Sequence, residues 1–218
     1  MQLDFTLPSQ CLIYMSGLDT LIVKSLDNTI RENLGKKTLE KVEQRLFEKY
    51  GINLTQSIAD FTKLDTVLRE FFGEGAEGLE KQFLENIVIL EETKSQDLNW
   101  VTIEDPSLAK QILVAFGDDD KKNILNAVLD GSRIISDILE ITQLPQTSGY
   151  RKVNSLIDNG LLIVHGHLTT HDGKKVNKYK SIFENVTINI EKNKVIVKVL
   201  LAKESIEKSS IIQLVQCR

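Results

Sequence analysis

Cysteine is nearly missing from this chain: two thiols, Cys11 and Cys217, stand at opposite ends of 218 residues. That excludes a disulfide framework and the spacing of a zinc finger, and it points to a reducing, cytoplasmic setting. Long apolar runs are also missing, and none approaches the roughly 18 residues of a membrane span. The opening MQLDFTLPSQCLIYMSG has no basic segment ahead of an apolar stretch, as a secretory signal would. No G-x-S-x-G elbow, P-loop, H-E-x-x-H or dinucleotide fingerprint occurs, and residues 1–117 hold no histidine. GEGAEG at 73–78 lacks the Lys-Ser/Thr of a phosphate loop, and its glycines read as a turn between helices. The expectation is a protein without catalysis or cofactor, carboxylate chemistry in the first half being the remaining enzymatic alternative.

What is present is enough apolar material for cores, 41% of residues, and an uneven distribution of charge. The net charge is −4, but residues 1–117 hold 12 basic against 19 acidic groups, and residues 118–218 hold 15 against 12. Between Gln146 and Lys180 there are 6 basic and 2 acidic side chains. A local basic patch on an acidic protein is the footprint of phosphate contact.

The first half reads as helical. Leu18, Leu21, Ile22, Leu26 and Ile30 recur at helical spacing. KTLEKVEQRLFEKYG repeats the pattern through Leu39, Val42, Leu46 and Tyr50, and Gly51 suits a helix end. TQSIADFTKLDTVLREFFG (Ile58, Phe61, Leu64, Leu68, Phe71) and EGLEKQFLENIVIL (Leu79, Phe83, Ile87) continue it. Phe61, Phe71, Phe72 and Trp100 read as core residues rather than a ligand cage, and Cys11 as a small buried hydrophobe. WVTIE predicts a short strand, and Asp105-Pro106 caps and opens the next helix. Gly117 followed by three aspartates is the expected boundary between an acidic domain, 1–117, and a second domain, 118–218.

In the second half, KKNILNAVLDG predicts a helix ending at Gly131, and Ser132 is expected to cap RIISDILEITQL. Pro145 breaks that helix, and Thr147 is expected to cap SGYRKVNSLIDN, stopped at Gly160. LLIVHGHLTT and KVNKYKSIF flank an HDGK turn, so they read as a hairpin. NVTINIE and KVIVKVLL form a second hairpin around KNK, and ESIEKSSIIQLVQ closes the chain as an amphipathic stretch. The expected fold is α+β: a mainly helical N-terminal domain, then three short helices and a ribbon with an extra β-hairpin.

The run Lys121–Phe183, and above all TSGYRKVNSLIDNGLL, resembles the winged helix-turn-helix domain of archaeal ArsR-like or MarR-like transcription regulators. ENVTINIEKNKVIVKVL resembles the strand pair that often follows the wing in such proteins, and the acidic half resembles small helical signalling modules attached to them. The resemblance covers about half of the chain. It implies sequence-specific binding to double-stranded DNA, an N-terminal domain that senses a small-molecule or protein effector, and a homodimer. Winged helices also serve as interaction adaptors without base readout, which is the alternative function.

On a helical wheel the third helix buries Tyr150, Val153, Leu156 and Ile157 and presents Ser148, Arg151, Lys152 and Ser155, with Thr147 at its start. Hydroxyls and a guanidinium suit base edges and an ammonium suits phosphate; the alternative is an ordinary solvated face. Lys174, Lys175, Lys178 and Lys180 in the ribbon are expected to contact the backbone. His165, His167 and His171 are weak metal candidates, with Asp172 or Cys217 to complete a site. Metal sensors of the ArsR type carry paired cysteines, which this chain lacks, so these histidines read as half-exposed ribbon residues. The C-terminal apolar residues Ile206, Ile211, Ile212, Leu214 and Val215 must pack either on their own domain or on a second copy, and they are one candidate dimer surface, the helical N-terminal half being the other.

Overall fold

The computed structural model describes residues 17–90, 99–192, 194–201 and 203–216. In chain order it contains helix α1 (Gly17–Tyr50), α2 (Leu54–Ala59), α3 (Phe61–Phe72) and α4 (Gly75–Glu85), then strands β1 (Val88–Leu90) and β2 (Asn99–Ile103). Next come α5 (Pro106–Gly117), α6 (Asp119–Asn126), α7 (Ile135–Thr142) and α8 (Gln146–Asp158). Strands β3 (Leu162–Thr169), β4 (Lys175–Ser181), β5 (Phe183–Glu191) and β6 (Lys194–Leu201) follow, and α9 (Lys203–Glu207) and α10 (Ser210–Gln216) close the chain. The fold is thus mixed, with helices in its N-terminal region and antiparallel sheet toward its C-terminus. No helix among the described residues is long and apolar enough to cross a membrane. The apolar start LDFTL and CLIYM, Cys11 and the polar stretch 91–98 lie outside the described residues.

The chain forms two compact units, and they do not divide at Gly117. One comprises residues 1–89 with 204–218, the other residues 90–203. The cause is long-range pairing. WVTIE forms β2, which pairs antiparallel with β6 so that Val101 faces Val199 and Ile103 faces Val197. That pairing draws β2 and α5 into the second unit, whereas the last helix returns to the first. Charge and glycine patterns report local chain breaks and carry no trace of such pairings.

In the first unit, α1 is broken at Gly35, whose φ of 66° and ψ of 155° leave the helical region at a position where glycine is unstrained. Ahead of the break the helix is buried on most sides, by Leu18, Leu21, Ile22, Val23, Leu26 and Ile30. α2, α3 and α4 pack around it through Leu54, Ile58, Phe61, Leu64, Leu68 and Phe83. Phe71 and Phe72, expected in the core, are 41% and 38% exposed at the end of α3, where Gly73 turns the chain away. The helical reading of EGLEKQFLENIVIL ends at Glu85; Val88–Leu90 is extended instead, β-branched side chains and sheet pairing prevailing over helical spacing. The C-terminal stretch is helical but gives its apolar side chains to this unit: Ile211 and Ile212 are 0% and 4% exposed, and α10 packs on α3 and α4. Ile211 and Ile212 are therefore core residues of their own chain, not a dimer surface. The side chains of Leu214 and Val215 lie outside the described residues.

In the second unit β6 lies between β2 and β5, antiparallel to both. α5 begins as the sequence predicts, with Asp105 accepting from the Ser107 and Leu108 amides, and packs on β2 and β6. The hairpin β5-β6 is thus part of the main sheet rather than an appendage. Helices α6, α7 and α8 pack on one another, and the ribbon β3-β4 follows α8.

Two expected caps are absent. Ser132 does not cap α7, because the chain is extended there: the Arg133 amide donates to Tyr179 O (3.0 Å) and the Tyr179 amide to Arg133 O (2.7 Å). Helix α7 starts only at Ile135, and α6 stops at Asn126, short of Gly131. Thr147 does not cap α8 either; Pro145 takes that position and Thr147 lies within the first turn. A proline ahead of the helix needs no amide partner, so the start moves forward.

At Gly149 helix α8 comes close against Leu139 of α7. A Cβ built there would lie 2.4 Å from Leu139 Cδ2. Gly149→Val is expected to destabilise this unit by about 1–3 kcal/mol through overpacking. Urea unfolding of the variant, alone and combined with Leu139→Ala, measures this. An unchanged midpoint for the single variant means that Leu139 swings aside at no cost.

Candidate nucleic-acid interface

Helix α8 is set by what it buries: Gly149, Val153 and Leu156 face inward. Ile157 is half-buried, and Tyr150, expected in this stripe, is 43% exposed. The helix is rotated because glycine, not tyrosine, lies where it comes close against α7. Thr147, Tyr150, Arg151, Asn154 and Asp158 are all exposed, at spacings that place them on one face. Of the predicted contact residues, only Thr147 and Arg151 stand on that face.

Ser148, Lys152 and Ser155 lie on the flank toward α6. Ser148 Oγ donates to Pro145 O at 3.1 Å, closing the first turn. Lys152 Nζ reaches both oxygens of Asp118, at 2.7 and 2.8 Å, and Asp120 Oδ2 at 2.9 Å. Ser155 Oγ accepts from Lys121 Nζ at 3.1 Å. Asp118 also caps α6 by accepting from the amides of Asp120 and Lys121. The Lys152 hydrogen bond and these amides hold the Asp118 carboxyl below its ordinary range, and hydrogen bonds to Asp118 and Asp120 hold the Lys152 ammonium above its own. This flank is thus matched by carboxylates from another helix.

The exposed face continues into a groove of about 370 Å³ lined by Ile135, Ser136, Tyr150, Lys175, Val176, Asn177 and Tyr179. Three elements meet there: the first turn of α7, the middle of α8 and strand β4. The Arg133–Tyr179 pairing ties the start of α7 to the ribbon and so holds two of these walls together.

At the ribbon tip, Thr170 Oγ1 donates to Asp172, and Lys174 Nζ lies 3.1 Å from Asp172 Oδ2. These interactions, Thr170 first, pull the Asp172 carboxyl below its usual range. Lys174 and Lys175 are exposed, whereas Lys178 and Lys180 are half-buried. The pairing slips between Val164–Tyr179 and His167–Asn177, so one extra residue bulges from β3. Gly166, at φ 84°, sits inside that bulge between His165 and His167. The regular alternation of strand side chains is therefore interrupted between His165 and His167. Among the described residues no three His, Cys, Asp or Glu side chains are grouped so as to hold a metal ion, and Cys217 lies outside them.

Residues the sequence reading missed are Gly149, Tyr150, Asn154, Ser136, Asn177 and Tyr179. One signal was present: 147, 150, 151, 154 and 158 share a helical face free of aliphatic side chains. No family model matches this chain, and no curated protein or solved structure matches it.

Proposed function

We propose that this chain is a cytoplasmic, DNA-binding regulator of transcription whose second unit lies against a duplex through α8 and the ribbon β3-β4. The observation that carries this reading is the continuous surface from Thr147, Arg151 and Asn154, past the groove beside Tyr150, to Lys174 and Lys175. Arg151 has the fork that reads guanine edges, and the ribbon lysines supply charge for the backbone. The order of α6, an extended pairing at Arg133, α7, α8 and a ribbon supports a winged helix-turn-helix. In this reading the first unit senses an effector or binds a partner, and a homodimer doubles the length of DNA covered. Its dimer interface uses a surface other than Ile211 and Ile212. The engagement of Lys152 and Ser155 within the unit favours the second reading, an interaction adaptor without base readout.

Salt dependence separates the two. Replacing Lys174 and Lys175 with Gln is expected to weaken binding to every duplex alike. It should flatten the slope of log affinity against log salt by roughly 0.9 for each phosphate that is no longer neutralised. Lys175 should account for more of the change, since Lys174 already faces Asp172. Fluorescence anisotropy with mixed-sequence DNA measures both quantities. An unchanged slope would show that the ribbon faces solvent in the complex, and no salt-dependent binding at all would leave the adaptor reading.

A further inference from the structure

Lys152 stands one position from the exposed Arg151, yet its ammonium is turned away onto two carboxylates of another helix. Capping of α6 does not require this arrangement, since Asn caps a helix about as well as Asp. Nor does α8 need it for docking, because Gly149, Val153 and Leu156 bury that helix. The pair is also accessible. Side-chain exposure is 21% for Lys152, 33% for Asp118 and 42% for Asp120. Ion pairs this near to solvent hold weakly and are screened by salt. Lysine has a flexible four-carbon stem, so its ammonium can swing to another anion without moving the backbone. The neighbouring charges do not compete: Asp119 pairs with Lys122, and Lys121 donates to Ser155.

We infer that Asp118 and Asp120 act as an internal competitor for DNA phosphates, withholding Lys152 from the interface and lowering the affinity for all sequences. The inference rests on the nucleic-acid reading above. It gives the acidic turn a regulatory role: any event that draws these carboxylates away frees one more cation beside Arg151. The effect is on affinity and not on sequence choice, because a lysine released to the backbone carries no base information.

The test is anisotropy of the full chain with a fluorescein-labelled, mixed-sequence duplex of about 30 base pairs across a salt series. Combined Asp118→Asn and Asp120→Asn should raise affinity about tenfold and steepen the salt slope by about 0.9. In a Lys152→Gln background the same pair should raise it less than about twofold, the residue expected from removing nearby negative charge. Asp119→Asn, which removes the same single charge as Asp120→Asn without touching Lys152, should also stay under about twofold. Lys152→Gln alone should leave affinity nearly unchanged. Asp120→Asn alone leaves the cap of α6 intact and should give a smaller rise, which covers any loss of folding in the double variant. Equal rises with and without Lys152, or no rise, overturn the competitor while leaving DNA binding in place. A chain that binds no duplex in any of these forms overturns the nucleic-acid reading and this inference with it.

Discussion

Asp19→Ala is expected to destabilise the unit formed by residues 1–89 and 204–218 by about 2–4 kcal/mol, the sum of a missing charged acceptor and the donors left behind it. Asp19 is 2% exposed and reaches across 190 positions of sequence to accept from Ser209 Oγ, the Ser210 amide (3.0 Å) and Ser210 Oγ (3.2 Å). Ser209 Oγ in turn accepts from the Ile212 amide at 3.1 Å. The carboxylate therefore holds the start of α10 in place. A helix of seven residues is unstable by itself in water, so its anchorage must be tertiary. Burial of Ile211 and Ile212 adds about 1.5–3 kcal/mol each when the helix is docked. Loss of the anchor should release both, and limited proteolysis should then remove the last residues while the rest of the chain persists. Urea unfolding measures the first effect and mass spectrometry of the digest the second. A midpoint equal to that of the unmodified chain would show that the two isoleucines hold the helix unaided.

Arg151→Ala carries the second large effect, and it bears on binding rather than folding. Arg151 is exposed at the middle of α8 between Thr147 and Asn154, away from the buried residues that seat the helix. The variant should keep its unfolding midpoint. It should lose about 1–3 kcal/mol of affinity for the preferred DNA site, the ordinary worth of a guanidinium on a base edge, and little for random duplex. The gap between the two affinities should shrink accordingly. Selection of the preferred site from a random pool, followed by anisotropy on both duplexes, gives the two numbers. Equal losses on both would assign Arg151 to the backbone, and no loss on either would place base readout elsewhere on the unit. Ser148 should contribute less, since its hydroxyl already donates to Pro145 O.

Much of the local structure was legible in the residues alone. Asp105-Pro106 announced the start of α5, and WVTIE announced β2. HDGK marked the tip of the ribbon, where Gly173 has φ 79°. These are short-range effects, in which a side chain of particular chemistry satisfies a backbone group a few positions away, so they can be read without the rest of the fold. The charge asymmetry and the exposed basic residues Arg151, Lys174 and Lys175 were legible for the same reason. Tertiary structure decided what depends on partners distant in sequence. It drew Arg133 into pairing with Tyr179 and so displaced the cap expected at Ser132. It placed β2 beside β6 and moved the unit boundary from Gly117 to residues 89–90 and 203–204. It rotated α8 so that Gly149 meets Leu139 and Tyr150 faces outward, an outcome hidden in sequence because glycine has no side chain to mark a close approach. And it brought Asp118 to Lys152 across 34 positions, so that a lysine counted as free charge is one already neutralised by its own protein.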